Sequence, residues 1–198
     1  MLIYKCDISD IESSEMRTWF DAMSSERRSE VIRIKNSNKQ ALKIAADHIC
    51  RSAISDFCGI MPDKIQFGKE RFGKPYAENL PVQFSVSHSG SIAICAVSEK
   101  AIGIDIEKIR PINPDIAQRF ATEKELEYIN ANRNGFFEIW TLKEAYFKYK
   151  GTGIGADIKD VSFEIKANKI YCSDKSCKLS FYNAEKGYIC TLCHNKSN

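Results

Sequence analysis

The chain has 198 residues, 43% of them hydrophobic and 28% charged, with a formal net charge of +3. Those proportions allow an apolar core in one domain or two small ones. No apolar run approaches the roughly 18 residues that a membrane span needs, and so small a charge suits an acidic or phosphate-bearing partner without calling for nucleic acid. The start, "MLIYKCDISD", has a short apolar patch and then charges, unlike a secretory signal, so a cytoplasmic protein is expected. Eight cysteines without an export signal read as reduced thiols.

In chain order, "SSEMRTWFDAMSSERRSEVIRIK" reads as one helix over 13–35. "NSNKQALKIAADHICRSAISDFCG" is a clearer helix, capped by Asn36 or Ser37 and closed by Gly59. Leu42, Ala45, Ile49, Ala53 and Phe57 follow at helical spacing. Then the period changes. Ile65 and Phe67 lead into a loop in which "FGKP" (Phe72–Pro75) is a glycine turn presenting Lys74. "VQFSVSHSGSIAICAVSEKAIGIDIE" reads as three consecutive strands, with turns at His88–Gly90 and Ser98–Lys100. Pro111 and Pro114 open a short helix, and Thr122 with Glu125 makes a capping box for the next. "GFFEIWTLKEAYFKYKG" is a helix ending at Gly151, and the tail returns to strands.

A weak internal repeat lays Gln83–Ser98 on Lys178–Cys193 without gaps, so that Ser85 meets Ser180, Ile94 meets Ile189 and Cys95 meets Cys190. A chance match is the alternative. Taken as real, it predicts an α+β fold of two similar halves, 1–101 and 102–198. Each half would be a long helix on a small antiparallel sheet, related to the other by a pseudo-twofold axis. With that interface filled from within, a monomer is expected.

The chemistry concentrates at "GIDIE" (Gly103–Glu107). In a strand, alternate side chains share a face, so one face is isoleucine and the other carries Gly103, Asp105 and Glu107. Two carboxylates on one face are either solvated or neutralised by a cation. At about 100° per residue, Thr141, Glu144 and Lys148 share a stripe of a helix that is apolar around most of its circumference. Either Glu144 and Lys148 form a surface pair or Glu144 is buried and needs a charged partner. Three carboxylates make a hard oxygen ligand set, which favours Mg²⁺ with a phosphate-bearing substrate. Lys74, Ser87, His88 and Ser89 could grip such a phosphate, although a lone histidine at a strand end is more often a solvated turn residue.

Together "FGKPYAENLPVQFSVSHSG", "AIGIDIE" and "FEIWTLKEAYFKYKGTGI" resemble the signature blocks of the 4′-phosphopantetheinyl transferases. The likeness is to the larger, two-halved type represented by the surfactin synthetase activator, and it runs from about Lys43 through Ile154. It implies transfer of the phosphopantetheine arm of coenzyme A to a serine of an apo acyl or peptidyl carrier protein, with release of 3′,5′-ADP. By the same resemblance Asp105, Glu107 and Glu144 hold Mg²⁺. Glu144, Lys148 and His88 are expected to take part in catalysis, Lys148 by stabilising charge on the pyrophosphate. The resemblance leaves the base open, and Glu144 is the first candidate, although a carboxylate that also ligates Mg²⁺ is a poor base. Gly73, Lys74, Pro75, Ser87 and His88 grip coenzyme A, joined by Lys148 and, in a less distinctive region, by Arg27 and Lys43. The segment around Phe120 resembles the carrier-docking region. Two departures touch the nucleotide contacts: Ser85 stands where asparagine is common, and Leu42 where a basic residue is frequent.

Two other readings compete. Asp157 or Asp160 with Glu164 and Lys166 loosely matches a metal-dependent nuclease core. Cys172, Cys177, Cys190 and Cys193 could make a zinc-stabilised interaction module; otherwise "GYICTLCHN" is a terminal strand whose small apolar positions are cysteine.

Overall fold

The computed structural model describes residues 1–167 and 169–196, the side chains of Pro114, Ala156 and Asp157 excepted. The chain opens with β1 (Leu2–Asp7). The helix expected over 13–35 is then two helices, α1 (Ser13–Ala22) and α2 (Ser25–Ile32). The break has a local cause. Ser24 is extended and its hydroxyl accepts from the Arg27 N–H, so it caps α2 and cannot also continue α1. α3 (Ser37–Cys58) is capped by Asn36 and ends at Gly59, whose left-handed φ of 68° suits glycine. Its Leu42, Ala45, Ile49 and Ala53 are buried, as their spacing predicts.

The hairpin β2 (Phe67–Lys69) and β3 (Pro75–Ala77) carries the Gly73 turn. The three expected strands follow as β4 (Gln83–Ser89), β5 (Ile92–Ser98) and β6 (Ile102–Lys108). Pro111 lies outside the short 3₁₀ helix that Pro114 opens (Pro114–Arg119). The predicted capping box is present at the start of α4 (Glu123–Ala131), and α5 (Gly135–Lys150) ends at Gly151. The tail is the hairpin β7 (Phe163–Lys166) and β8 (Lys169–Cys172), then β9 (Cys177–Phe181) and β10 (Tyr188–Asn195). No helix among the described residues is long and apolar enough to cross a membrane.

The result is an α+β fold with two small antiparallel three-stranded sheets, ordered β1-β5-β4 and β6-β10-β9. In both, the first strand lies at one edge and the last in the centre. The gapless overlay of the two hairpins needs one correction. Ser85 lies opposite Ala96, but Ser180 lies opposite Leu192 rather than Thr191. A one-residue slip turns a strand's side chains to the other face. Cys95 therefore packs under α3, whereas Cys190 packs in the layer between the sheets.

Apolar residues fill three main layers. Leu42, Ala45 and Ile49 of α3 meet Cys95 and Val97 of β5. Ile139, Leu142 and Ala145 of α5 meet Leu179 and Cys193 of the second sheet. Between the sheets lie Ile92 and Ile94 of β5, Ile102, Ile104 and Ile106 of β6, and Leu192 of β10. The alternation in "GIDIE" thus has its physical cause: the isoleucine face is the contact between sheets, and the Gly103–Asp105 face turns to α5.

Candidate functional site

α5 lies directly on Gly103. A Cβ there would stand 1.9 Å from the Ala145 carbonyl oxygen and 2.5 Å from the Tyr149 nitrogen, so only glycine lets the helix backbone come this close. The Thr141 and Thr191 hydroxyls, 2.8 Å apart and buried, fix the helix against β10. That placement sets Glu144 and Lys148 beside Asp105.

β6 is an edge strand, and its outward backbone groups need partners. Side chains supply them. The Ile104 N–H donates to Ser85 Oγ at 3.0 Å and the Lys108 N–H to Ser89 Oγ at 3.1 Å. The Ile102 and Ile104 carbonyls accept from Lys74 Nζ at 3.3 Å and Lys148 Nζ at 3.2 Å. Alternate serines of β4 thus form a ladder along β6. The middle one, Ser87, donates to Asp105 Oδ1 at 2.7 Å, and Ser89 donates to Glu107 Oε2 at 2.7 Å.

The three acids share one neighbourhood. Asp105 is buried, and its Oδ1 accepts from Lys148 Nζ at 2.7 Å. Its Oδ2 is buried with no hydrogen-bond partner. Burial, then the charge of Asp105, pushes the Glu144 carboxyl up to about 7. The Glu107 carboxyl is also raised, by burial and by Asp105, against the opposing hydrogen bond from Ser89. One lysine thus faces three carboxylates. An orphan buried oxygen in an all-oxygen donor set fits a divalent cation. As the side chains stand, no group of three or more His, Cys, Asp or Glu among the described residues is arranged to hold a metal ion. Lys148 and Ser87 hold one oxygen of Asp105, and Ser89 holds one of Glu107.

A cationic rim borders the acids. Burial lowers the Lys43 ammonium, and Arg27, Lys148 and Lys69 lower it further. The His88 imidazole is depressed to about 4, first by burial and then by Lys43, Lys148 and Lys39. His88 is therefore neutral near pH 7. So many cations crowded together stand ready for a polyanion.

The predicted residues do not all meet at one point. Asp105, Glu107, Glu144, Lys148, His88 and Lys43 converge. Ser87 is there too, but its hydroxyl is spent on Asp105. Arg27 is bound to Glu30 at 2.6 Å and to Asp47 at 3.4 Å. Lys74 reaches β6 at Ile102, on the glycine turn whose Gly73 has φ 85°, with Pro75 beginning β3. Phe120 is buried against Phe136 and Trp140, so within its segment it is Ile116, 43% exposed, that faces outward.

Sequence reasoning missed Lys39 and Lys143, and it read Ser89 as a phosphate grip and Ser85 as a departure among the nucleotide contacts, where the structure sets both against β6. The Lys39/Lys43 spacing on α3 carried a signal for the first. Lys143 gave no signal of its own. It is fully buried, bound to Glu125 at 3.0 Å and donating to the Ile158 and Val161 carbonyls.

Neither competing reading is assembled. Cys172, Cys177 and Cys193 lie in the core under α5 while Cys190 lies between the sheets, so the four cysteines do not converge. Lys166 pairs with Glu164 on the exposed face of β7, and the side chain of Asp157 lies outside the described residues.

A family model described as the 4′-phosphopantetheinyl transferase superfamily matches residues 101–193. A 4′-phosphopantetheinyl transferase of Bacillus subtilis is 31% identical over 87% of this chain and 82% of its own length. The 4′-phosphopantetheinyl transferase gsp of Aneurinibacillus migulanus is 31% identical over 86% of this chain and 76% of its own. The 4′-phosphopantetheinyl transferase Sfp of Bacillus subtilis (strain 168) is 28% identical over 92% and 87%.

Proposed function

This chain belongs to the 4′-phosphopantetheinyl transferase superfamily and is a 4′-phosphopantetheinyl transferase acting on carrier proteins, and from that premise we propose that the Asp105 cluster is where it works. The reaction moves the phosphopantetheine arm of coenzyme A to a carrier serine and releases 3′,5′-ADP. The observation that carries the assignment is the buried, unpartnered Asp105 Oδ2 among three carboxylates, bordered by cations.

In this reading Asp105, Glu107 and Glu144 hold Mg²⁺, which when bound neutralises phosphate oxygens and lets a good leaving group depart. The protein's share is positioning and charge. Lys148, its ammonium on Asp105 Oδ1 and part exposed, stabilises negative charge developing on the pyrophosphate. Lys43 and Arg27 attract the nucleotide phosphates, with Lys74 at the glycine turn framed by Gly73 and Pro75. His88, neutral near pH 7, supplies a hydrogen bond to phosphate instead of a charge. Ser87 orients Asp105 in this reading, and the contact to coenzyme A expected of it would need that hydroxyl to leave the carboxylate. Glu144 is the first candidate for taking the serine hydroxyl proton; its value near 7 belongs to the metal-free site, and a carboxylate that also holds a cation is a weaker base.

The carrier docks, in this proposal, along the 3₁₀ helix that exposes Ile116. We further propose two related halves, 1–101 and 102–198, about a pseudo-twofold axis, supported by the matching strand orders of the two sheets. The molecule then acts as a cytoplasmic monomer on coenzyme A and a protein partner, with no role for nucleic acid. The test is to mix the protein with coenzyme A, Mg²⁺ and an apo carrier protein and weigh the carrier by mass spectrometry. Gain of one phosphopantetheine arm, abolished by a chelator, is the expected result. No gain on either a fatty-acid or a peptide carrier would overturn the assignment.

A further inference from the structure

The ladder of alternate serines on β4 divides its work unequally. Ser85 touches only the backbone of β6, through the Ile104 N–H. Ser87 touches only a carboxylate, that of Asp105. Ser89 does both at once: its Oγ accepts from the Lys108 N–H at 3.1 Å and donates to Glu107 Oε2 at 2.7 Å. A hydroxyl has one proton to give and lone pairs to accept with, and this one uses both modes on adjacent residues of one strand. The effect is a clamp across the seam between the sheets. It holds the end of β6 and fixes the Glu107 carboxylate by one oxygen, Oε2. Asp105, by contrast, is held at Oδ1 by two groups, Ser87 and Lys148. For Glu107 the hydroxyl is that of Ser89, with the Trp140 indole a lesser partner.

We propose that Ser89 is a positioning residue for the metal site, setting Glu107 as a ligand without itself touching metal or substrate. The inference rests on the reading of Asp105, Glu107 and Glu144 as metal ligands. A group that hydrogen-bonds a ligand narrows its orientation before the metal arrives, and losing such a partner costs about tenfold or more in metal affinity.

The test compares Ser89→Val with Ser89→Thr, which are similar in shape but only the second keeps a hydroxyl. Mn²⁺ is the probe, and free Mn²⁺ is followed by electron paramagnetic resonance in titrations of the protein with and without coenzyme A. Circular dichroism first checks that both variants melt cooperatively. Ser89→Val is expected to bind Mn²⁺ about tenfold more weakly, and to need correspondingly more Mg²⁺ for half-maximal transfer. The loss should lie in that concentration and much less in the rate at saturating metal. Ser89→Thr should restore the affinity. Equal Mn²⁺ affinity in wild type, Ser89→Val and Ser89→Thr would overturn the role of Ser89 while leaving the metal site standing. Should Ser89→Val fail to melt cooperatively, Ser89→Ala takes its place, and unchanged Mn²⁺ affinity there overturns the inference equally. Wild-type protein that binds no Mn²⁺, even with coenzyme A, would overturn the metal reading and this inference together.

Discussion

If coenzyme A binds as proposed, the His88 ring should report it. Its value near 4 comes from burial and from the nearby Lys43, Lys148 and Lys39. Phosphates bound among those lysines cancel part of their charge, and what had depressed the imidazole then supports its protonation. We expect coenzyme A to raise the His88 pKa, measured by NMR titration of its ring protons. Only three histidines share the spectrum, which makes assignment by a single His88→Gln variant practical. An unshifted His88 with coenzyme A bound would place the phosphates elsewhere. Glu144 gives a second test, in metal-free protein. Its carboxyl titrates near 4.5 in an unfolded chain and is raised to about 7 here, so the fold binds the extra proton between those values. Stability from this group is therefore present below pH 4.5 and lost as pH rises through 7. His88 acts in the opposite sense: its contribution is present above its ordinary 6.5 and lost as pH falls toward 4. The two partly cancel between about pH 4.5 and 6.5, so the difference between variants is the useful quantity. With chelator present, the melting temperature of Glu144→Gln minus that of wild type should grow from about pH 4.5 to 7 and then level. A constant offset would mean that Glu144 has no such shift.

At the scale of elements, α5 is held by two devices, and they fail differently. The first is close packing at Gly103. Alanine there must push the helix backbone away, because the nearest atoms belong to the main chain and cannot swing aside. Gly103→Ala should destabilise by on the order of 1–3 kcal/mol. It should also cut transfer by more than that loss explains, since Glu144 and Lys148 move with the helix. Denaturant melts and carrier mass spectrometry read the two effects, and unimpaired transfer would show that helix placement is not critical. The second device is the buried Lys143–Glu125 pair, which ties α5 to α4 and, through the Ile158 and Val161 carbonyls and the Phe163 N–H, to the start of β7. Lys143→Met strands a buried carboxylate and should cost about 3–5 kcal/mol, whereas adding Glu125→Leu should recover much of that loss. A double variant no more stable than the single would rule out an uncompensated charge as the cause. Much of this was legible in sequence. The alternation of "GIDIE" and the stripe through Glu144 and Lys148 gave the correct faces, because a strand's period of two and a helix's of 3.6 survive in any fold. The break at Ser24 was not read, because Ser24 sits inside a run with helical charge patterning. The partner of Lys143 was not read either, since Glu125 comes from another helix and pairing across elements leaves no period in the chain.

Across the whole molecule, what the sequence could least show is how the sheets meet. The gapless overlay of the two hairpins is one residue out in register, because such a comparison cannot sense which face a strand buries. That face matters most in the layer between the sheets. Ile92 and Ile94 come from β5, Ile102, Ile104 and Ile106 from β6, and all five are fully buried. At about 1.5–3 kcal/mol for each side chain removed from water, the layer is worth on the order of 10 kcal/mol, similar to the whole stability of a typical domain. Cutting the chain between β5 and β6 divides that layer and exposes both sides. It also strips β6 of the serine ladder that satisfies its edge. The halves resemble each other in strand order but are not independent folding units on this argument. A fragment of residues 1–101 should bind a hydrophobic dye, lack a cooperative melt and aggregate, and 102–198 should behave likewise. Mixed from denaturant, the two should recover a cooperative transition and, with coenzyme A and Mg²⁺, transfer activity. If 1–101 instead gave a monomer with a sharp thermal transition and no dye binding, the layer would be an interface between finished domains. The proposed catalytic cluster, drawn from β4 on one side and from β6 and α5 on the other, would then be assembled by docking rather than by folding.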